Sequence, residues 1–154
     1  MTSPALLRFR LLASIALVLV STFFAMAPAV AAENPAVEEM AGYLDFVDYQ
    51  GGVMLVQQIP DEEWKNFVLI DTRDAGQYGK GHIPGAINIE WRRVLAEREK
   101  IPTDKPVLVY CNTGSLSGQA GFALRVAGYE NVRILQGGYN AWLKARGEAP
   151  VVEQ

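Results

Sequence analysis

Two residue types with versatile chemistry are almost missing from this chain. It holds one cysteine, Cys111, and one histidine, His82, in 154 residues. A single cysteine cannot close an internal disulfide, and one thiol with one imidazole is too few for a metal-ligand cluster. No metal and no cofactor is therefore expected. Surplus positive charge is missing as well: 14 Lys and Arg stand against 17 Asp and Glu. No electrostatic footprint marks a nucleic-acid partner, and no basic helix marks a face for anionic lipid. The chain also lacks internal repeats and low-complexity segments.

Residues 1–32 lack acids altogether. Arg8 and Arg10 precede the apolar run LLASIALVLVSTFFAMAPAV, and Val30, Ala31 and Ala32 give a small-residue end. That order is the signature of a secretory signal peptide. Cleavage is expected after Ala32, with Ala31 as the alternative, and a bacterial periplasm is the expected destination. Secretion beyond it, or an uncleaved membrane anchor, are the alternatives, because the run approaches the roughly 20 apolar residues of a span. Pro28 and the alanine-rich end favour cleavage, after which no membrane contact is expected. No cysteine near the cleavage point offers a lipid attachment site. Loss of Arg8 and Arg10 leaves 12 basic against 17 acidic residues. The remainder is long enough for one domain with a sizeable core.

Apolar spacing predicts a helix over 36–48, stopped by Gly51 and Gly52. Short apolar runs predict strands at 53–56, 67–70, 86–89, 106–110 and 132–135. Helical stretches are expected from about residue 59 to Trp64, at 74–78 and at 117–127, the last closed by Gly128. Alternating charge over 90–100 fits a solvated helix, and 139–146 a final one. Short apolar strands alternating with helices predict an α/β fold, a five-stranded mainly parallel sheet flanked by helices on both faces. Trp64 and Trp91 are expected to cover the sheet, Tyr139 and Trp142 to enter the core, and Arg125 to point away from Cys111. The organisation reads as a signal peptide (1–32), an N-terminal helical extension (33–52), a main domain (53–147) and a C-terminal tail (148–154).

The lone thiol sits in YCNTGSLSGQA, between the strand VLVY and a helix. Ligands of open parallel sheets bind beyond the carboxyl ends of strands. Backbone N–H groups of 111–117 can converge as a concave nest above the positive end of the helix dipole. Such a nest favours an ionised sulfur, which is the nucleophilic form. Gly114 gives the tight loop its freedom. Thr113, Ser115 and Ser117 offer hydroxyls to an anion or to the loop, and Ser117 also fits a helix N-cap. An inert packed cysteine is the plain alternative.

Three blocks carry a family resemblance: LIDTRDAGQYGKGHIPGAINIEW, VLVYCNTGSLSGQA and LQGGYNAW. On them the chain resembles single-domain rhodaneses, which are sulfurtransferases. The resemblance spans 53–146 and implies a rhodanese-like domain over 53–147. It implies Cys111 as the catalytic residue and Asn112, Thr113, Gly114, Ser115, Leu116 and Ser117 as the substrate-binding loop. It also implies ping-pong transfer. The thiolate takes a sulfane sulfur from thiosulfate or a persulfide donor, and the Cys111 persulfide passes it to cyanide or a thiol, a protein thiol included. One cysteine suffices for that cycle, whereas dithiol redox enzymes need a resolving partner.

The loop departs from the family pattern in its charge. Active rhodanese loops often carry Arg five residues after the cysteine and Arg next to it; here those residues are Leu116 and Asn112. Gln77 stands where the family often has Glu. The C-x5-R loop of phosphatases and arsenate reductases is not matched either, since Ser117 takes the arginine position. Without a loop cation, a persulfide donor is favoured over dianionic thiosulfate. A catalytically weak binding module and a thiol redox sensor are the alternative readings. Asp71 and Arg73 are expected as a buried structural pair at the end of their strand, with bracing of the catalytic loop as the alternative. His82, in GHIPGA, is expected to serve a fixed turn, because a thiol in an amide nest needs no base.

Overall fold

The computed structural model describes residues 34–150, so the signal-peptide reading of 1–32 and the last residues of the tail lie outside the described residues. Five strands form one sheet: β1 (Val53–Met54), β2 (Val68–Asp71), β3 (Ile87–Asn88), β4 (Val107–Tyr110) and β5 (Val132–Leu135). Their order is β1-β5-β4-β2-β3, and every pair is parallel. β4 is the central strand, and all four of its residues are buried. Val-Leu-Val-Tyr is apolar on both faces, as a strand covered on both sides must be.

Alternation along the strands divides the core in two. Leu69, Leu108, Tyr110 and Leu135 face one layer, with Tyr139 and Trp142 of α4 (Gly138–Ala145). Ile70, Val107, Val109, Val132 and Ile134 face the other, with Ala120 and Leu124 of α3 (Ser115–Val126). The expected α/β architecture with helices on both faces is thus the observed one, and Trp64 joins the first layer while Trp91 packs against the second. After β2 the chain runs to β3 on one side of the sheet; after β4 it runs to β5 on the other. The carboxyl ends of β2 and β4 therefore flank a topological switch point, where ligands of open α/β sheets collect. Cys111 directly follows β4.

Two further helices precede β1 and follow β2, namely α1 (Pro35–Phe46) and α2 (Ala75–Lys80). α1 buries none of its residues. It is held through Tyr43, whose ring meets Phe122 edge-on at 5.3 Å and whose hydroxyl accepts from Arg125 Nε at 3.1 Å. Arg125 is thereby engaged in the last turn of α3, the end remote from Cys111. Among the described residues, no helix is long and apolar enough to cross a membrane.

The structure corrects several boundaries. The expected helix over 90–100 is two 3-10 turns, Trp91–Arg93 and Arg98–Lys100. Only Val94 is buried between them, and one apolar anchor does not offset the cost of a long helix. Its surface charges pair locally instead, with Glu97 accepting from Lys100 at 2.7 Å. The strand expected at 53–56 ends at Met54, and Val56–Gln58 turns as a 3-10 segment. The helix expected from about residue 59 to Trp64 is the 3-10 segment Asp61–Asn66.

Leu108 is fully buried at the centre of the sheet. Leu108→Ala is expected to lower the unfolding free energy by about 2–5 kcal/mol, read from urea denaturation midpoints at unchanged slope.

Candidate active site: a thiol on a buried polar frame

β4 delivers Cys111 to the carboxyl edge of the sheet, and the chain then turns into α3. Gly114 takes the helix N-cap position at φ 100°, in the left-handed region that glycine adopts without strain. This turn aims its own N–H back at the cysteine: Gly114 N lies 3.2 Å from Sγ. Ser117 is not the N-cap that the sequence suggested. It is the third residue of α3, fully buried, and its one hydroxyl proton is shared between two acceptors, Gly114 O at 3.3 Å and Cys111 Sγ at 3.6 Å. A backbone amide, a hydroxyl and a helix N-terminus thus meet at one sulfur. Cys111 as a residue is only 2% exposed. Low solvation strengthens each of those contacts.

The expected loop residues divide by direction. Thr113 and Ser115 are exposed, and Gly114 and Leu116 are half-buried. The Asn112 side chain, expected to bind substrate, turns inward instead and is 1% exposed. Its Oδ1 accepts from Arg73 Nη1 at 3.0 Å, and its Nδ2 donates to Gln77 Oε1 at 2.6 Å. Asn112 therefore anchors the loop. Two of the three positions that depart from the family pattern, 77 and 112, meet in space as one neutral amide pair.

Arg73 is the hub beneath the loop. Its Nε donates to both Asp71 oxygens, at 2.9 and 3.0 Å, and Nη2 donates to Gly81 O at 2.7 Å. The guanidinium stacks over the Tyr139 ring at 4.5 Å. Both members of the pair are buried, at 2% and 0% exposure. Burial alone would lower the arginine pKa, but the hydrogen bond and charge of Asp71 outweigh it and hold the pKa above its ordinary value. Tyr110 closes the frame. Its hydroxyl accepts Ile83 N–H at 3.0 Å, and burial, aided by the Asp71 charge, raises its pKa so that it stays protonated. Asp71 and Arg73 form a buried pair at the end of β2, and Arg73 also reaches Asn112 of the loop. His82 stacks on Tyr78 at 3.9 Å, with Nδ1 3.0 Å from Tyr78 O. Tyr78 in turn donates to Ala86 O at 2.7 Å, so the histidine packs within the GHIPGA turn.

One support escaped the sequence reading. The N-terminus of α4 grips the loop backbone: Tyr139 N–H donates to Cys111 O at 2.7 Å and Asn140 N–H to Asn112 O at 3.0 Å. The contact requires Gly138. A Cβ there would lie 2.2 Å from Cys111 O, and the residue sits at φ 55°. The only signal was the Gly-Gly pair ahead of the last helix. Among the described residues, no cluster of three or more His, Cys, Asp or Glu is placed to hold a metal ion.

Two substitutions probe this frame. Arg73→Met leaves a buried, unpaired Asp71 and is expected to cost about 3–5 kcal/mol in urea denaturation. Gly138→Ala should push the Cys111 carbonyl aside. It is expected to change the alkylation rate of Cys111 by iodoacetamide at least several-fold in protein that still unfolds cooperatively.

Comparison with known proteins agrees with this geometry. A family model described as the rhodanese-like domain matches residues 54–145. A protein named sulfurtransferase from Allochromatium vinosum is 35% identical over 98 residues, which cover 64% of this chain and 88% of that one. The thiosulfate sulfurtransferase GlpE of Shewanella oneidensis is 32% identical over 89 residues, covering 58% and 88%. Among solved structures, a rhodanese-related protein from Thermoplasma volcanium superposes with a TM-score of 0.57 at 25% identity, covering 66% of this chain and 98% of its own. The human single-domain sulfurtransferase TSTD1 shares the fold at TM-score 0.53 and 23% identity, covering 60% and 96%. With more than half its length inside that family model, a parallel five-stranded sheet and one cysteine at the β4–α3 turn, the chain belongs to the rhodanese-like domain family.

Proposed function

We propose that the protein is a sulfurtransferase that carries a sulfane sulfur on Cys111 as a persulfide. The observation that supports this most directly is the convergence of Gly114 N–H and Ser117 Oγ on the only thiol of the chain. In the first half-reaction, the Cys111 thiolate attacks the outer sulfur of the donor. The donor's S–S bond breaks, and its electron pair leaves with sulfite from thiosulfate, or with a thiolate from a persulfide donor. A new S–S bond forms on Cys111. In the second half-reaction, cyanide or a thiolate attacks the outer sulfur and Cys111 departs again as thiolate. No external oxidant or reductant is consumed, and one cysteine completes the cycle.

The frame described above prepares the site for both halves. The amide and hydroxyl that face Sγ stabilise the thiolate before attack and after release, at no cost of reorganisation. Low exposure keeps water from the sulfur, and a terminal sulfur or cyanide has the suitable shape to reach it. The neutral Asn112–Gln77 pair bears on donor choice. A charged hydrogen bond to a bound anion contributes roughly 1.5–3 kcal/mol, so a loop without one should use thiosulfate about ten- to a hundredfold less well. A persulfide donor is the favoured physiological class. The composition of residues 1–32 supports a periplasmic site of action.

Incubation with a persulfide donor is expected to add the mass of one sulfur atom to wild type and nothing to Cys111→Ser. Thiosulfate should produce the same adduct more slowly. Absence of any adduct, or biological activity retained by Cys111→Ser, would favour a non-catalytic binding module, which the missing loop cation also fits. A sulfenic acid formed with peroxide, in place of sulfur uptake, would mark a redox sensor.

A further inference from the structure

A cleft of about 500 Å³ adjoins the cysteine loop. Its lining includes Thr113 and Gly114 of the loop together with Gln50, Leu55, Gln58 and Gln136. Gly114 belongs to both sites, since its N–H is the group that reaches Sγ at 3.2 Å. The volume falls in the range of small-molecule sites, roughly 300–1,000 Å³, and far exceeds what thiosulfate or cyanide fills.

The lining is uncharged. No Asp, Glu, Lys or Arg contributes to it. Three carboxamides, of Gln50, Gln58 and Gln136, belong to the lining instead. Gln58 Oε1 accepts Leu55 N–H at 2.7 Å, which fixes the side chain and leaves its NH2 group as a donor. Among the described residues, the side chains of Gln50 and Gln136 and the Thr113 hydroxyl hold no hydrogen bond of their own. Leu55 and the buried Ile134 supply apolar floor. A carboxamide is donor and acceptor at once, which matches the N–H and C=O of a peptide group. A dianion finds no counter-charge in such a cleft, whereas a short peptide finds several partners. The neutral Asn112–Gln77 pair points the same way.

We propose that this cleft is the acceptor subsite for a small, uncharged peptide thiol, bound through its amide groups by Gln50, Gln58 and Gln136. The inference rests on the sulfur-transfer reading of Cys111. The peptide thiol loses its proton to solvent, and its thiolate attacks the outer sulfur of the Cys111 persulfide past Gly114. The S–S bond to Cys111 breaks, its electron pair stays on Cys111, and the peptide leaves as a persulfide.

The test uses the full chain and a Gln50→Ala/Gln136→Ala double variant, both loaded with sulfur on Cys111. The acceptors are acetyl-Gly-Cys-Gly-amide and 2-mercaptoethanol, the latter lacking peptide groups. The ratio of kcat/KM for the tripeptide over 2-mercaptoethanol is expected to fall about tenfold in the variant, mainly through KM. An unchanged ratio would overturn the proposal. A second arm titrates unreactive acetyl-Gly-Ser-Gly-amide onto unloaded protein by NMR. Shifts at Thr113, Gly114 and Gly137 that weaken in the variant support the cleft; no binding, or equal binding to both proteins, refutes it. If wild type takes up no sulfur, the transfer reading fails while this arm still decides the cleft.

Discussion

One guanidinium holds three parts of this molecule in register. Arg73 leaves the end of β2, binds Asp71 beside it, reaches the Gly81 carbonyl ahead of β3 and ends on Asn112 in the cysteine loop. A buried ion pair carries a desolvation cost that only good geometry and further hydrogen bonds offset. Here each polar edge of the arginine fork finds a partner, and the Tyr139 ring covers its face. The fork geometry matters as much as the charge, because an ammonium group cannot reach three directions from one plane. The loop that follows β4 is consequently built on fixed polar contacts from below.

The same loop is gripped from the side by α4, whose first amides donate to Cys111 O and Asn112 O. With carbonyls drawn towards α4 and the Asn112 side chain drawn towards Arg73 and Gln77, the turn at Gly114 directs its N–H at the sulfur. Fold, frame and chemistry are therefore one chain of causes. The parallel sheet creates the switch point, the buried polar frame shapes the turn, and the turn gives a single thiol the surroundings of a nucleophile. The proposed preference for thiols and persulfides over small anions rests on the neutral loop and the uncharged cleft beside it.

Much of this was legible in the sequence. Each of the five strands begins or ends within two residues of its apolar run, and VLVY followed by a cysteine and a glycine-rich turn located the thiol correctly. Local pattern failed where tertiary contacts decide. Charge alternation over 90–100 suggested a helix, but burial of Val94 alone breaks the segment into two turns. Ser117 looks like a cap from its neighbours, yet Gly114 takes that place because the loop must close on Sγ. The contacts Arg73–Asn112, Asn112–Gln77 and Tyr139–Cys111 link residues far apart in the chain, and no periodicity encodes them.

The central claim is that the buried arginine fork fixes the cysteine loop. Hydrogen exchange of the amides at 112–116 in wild type and Arg73→Lys tests it most directly, since lysine keeps a charge for Asp71 but loses the fork. The account predicts markedly faster exchange at these loop amides with little change at Leu108 and Val109 of β4. Unchanged loop exchange, or an equal rise in loop and strand, would contradict it.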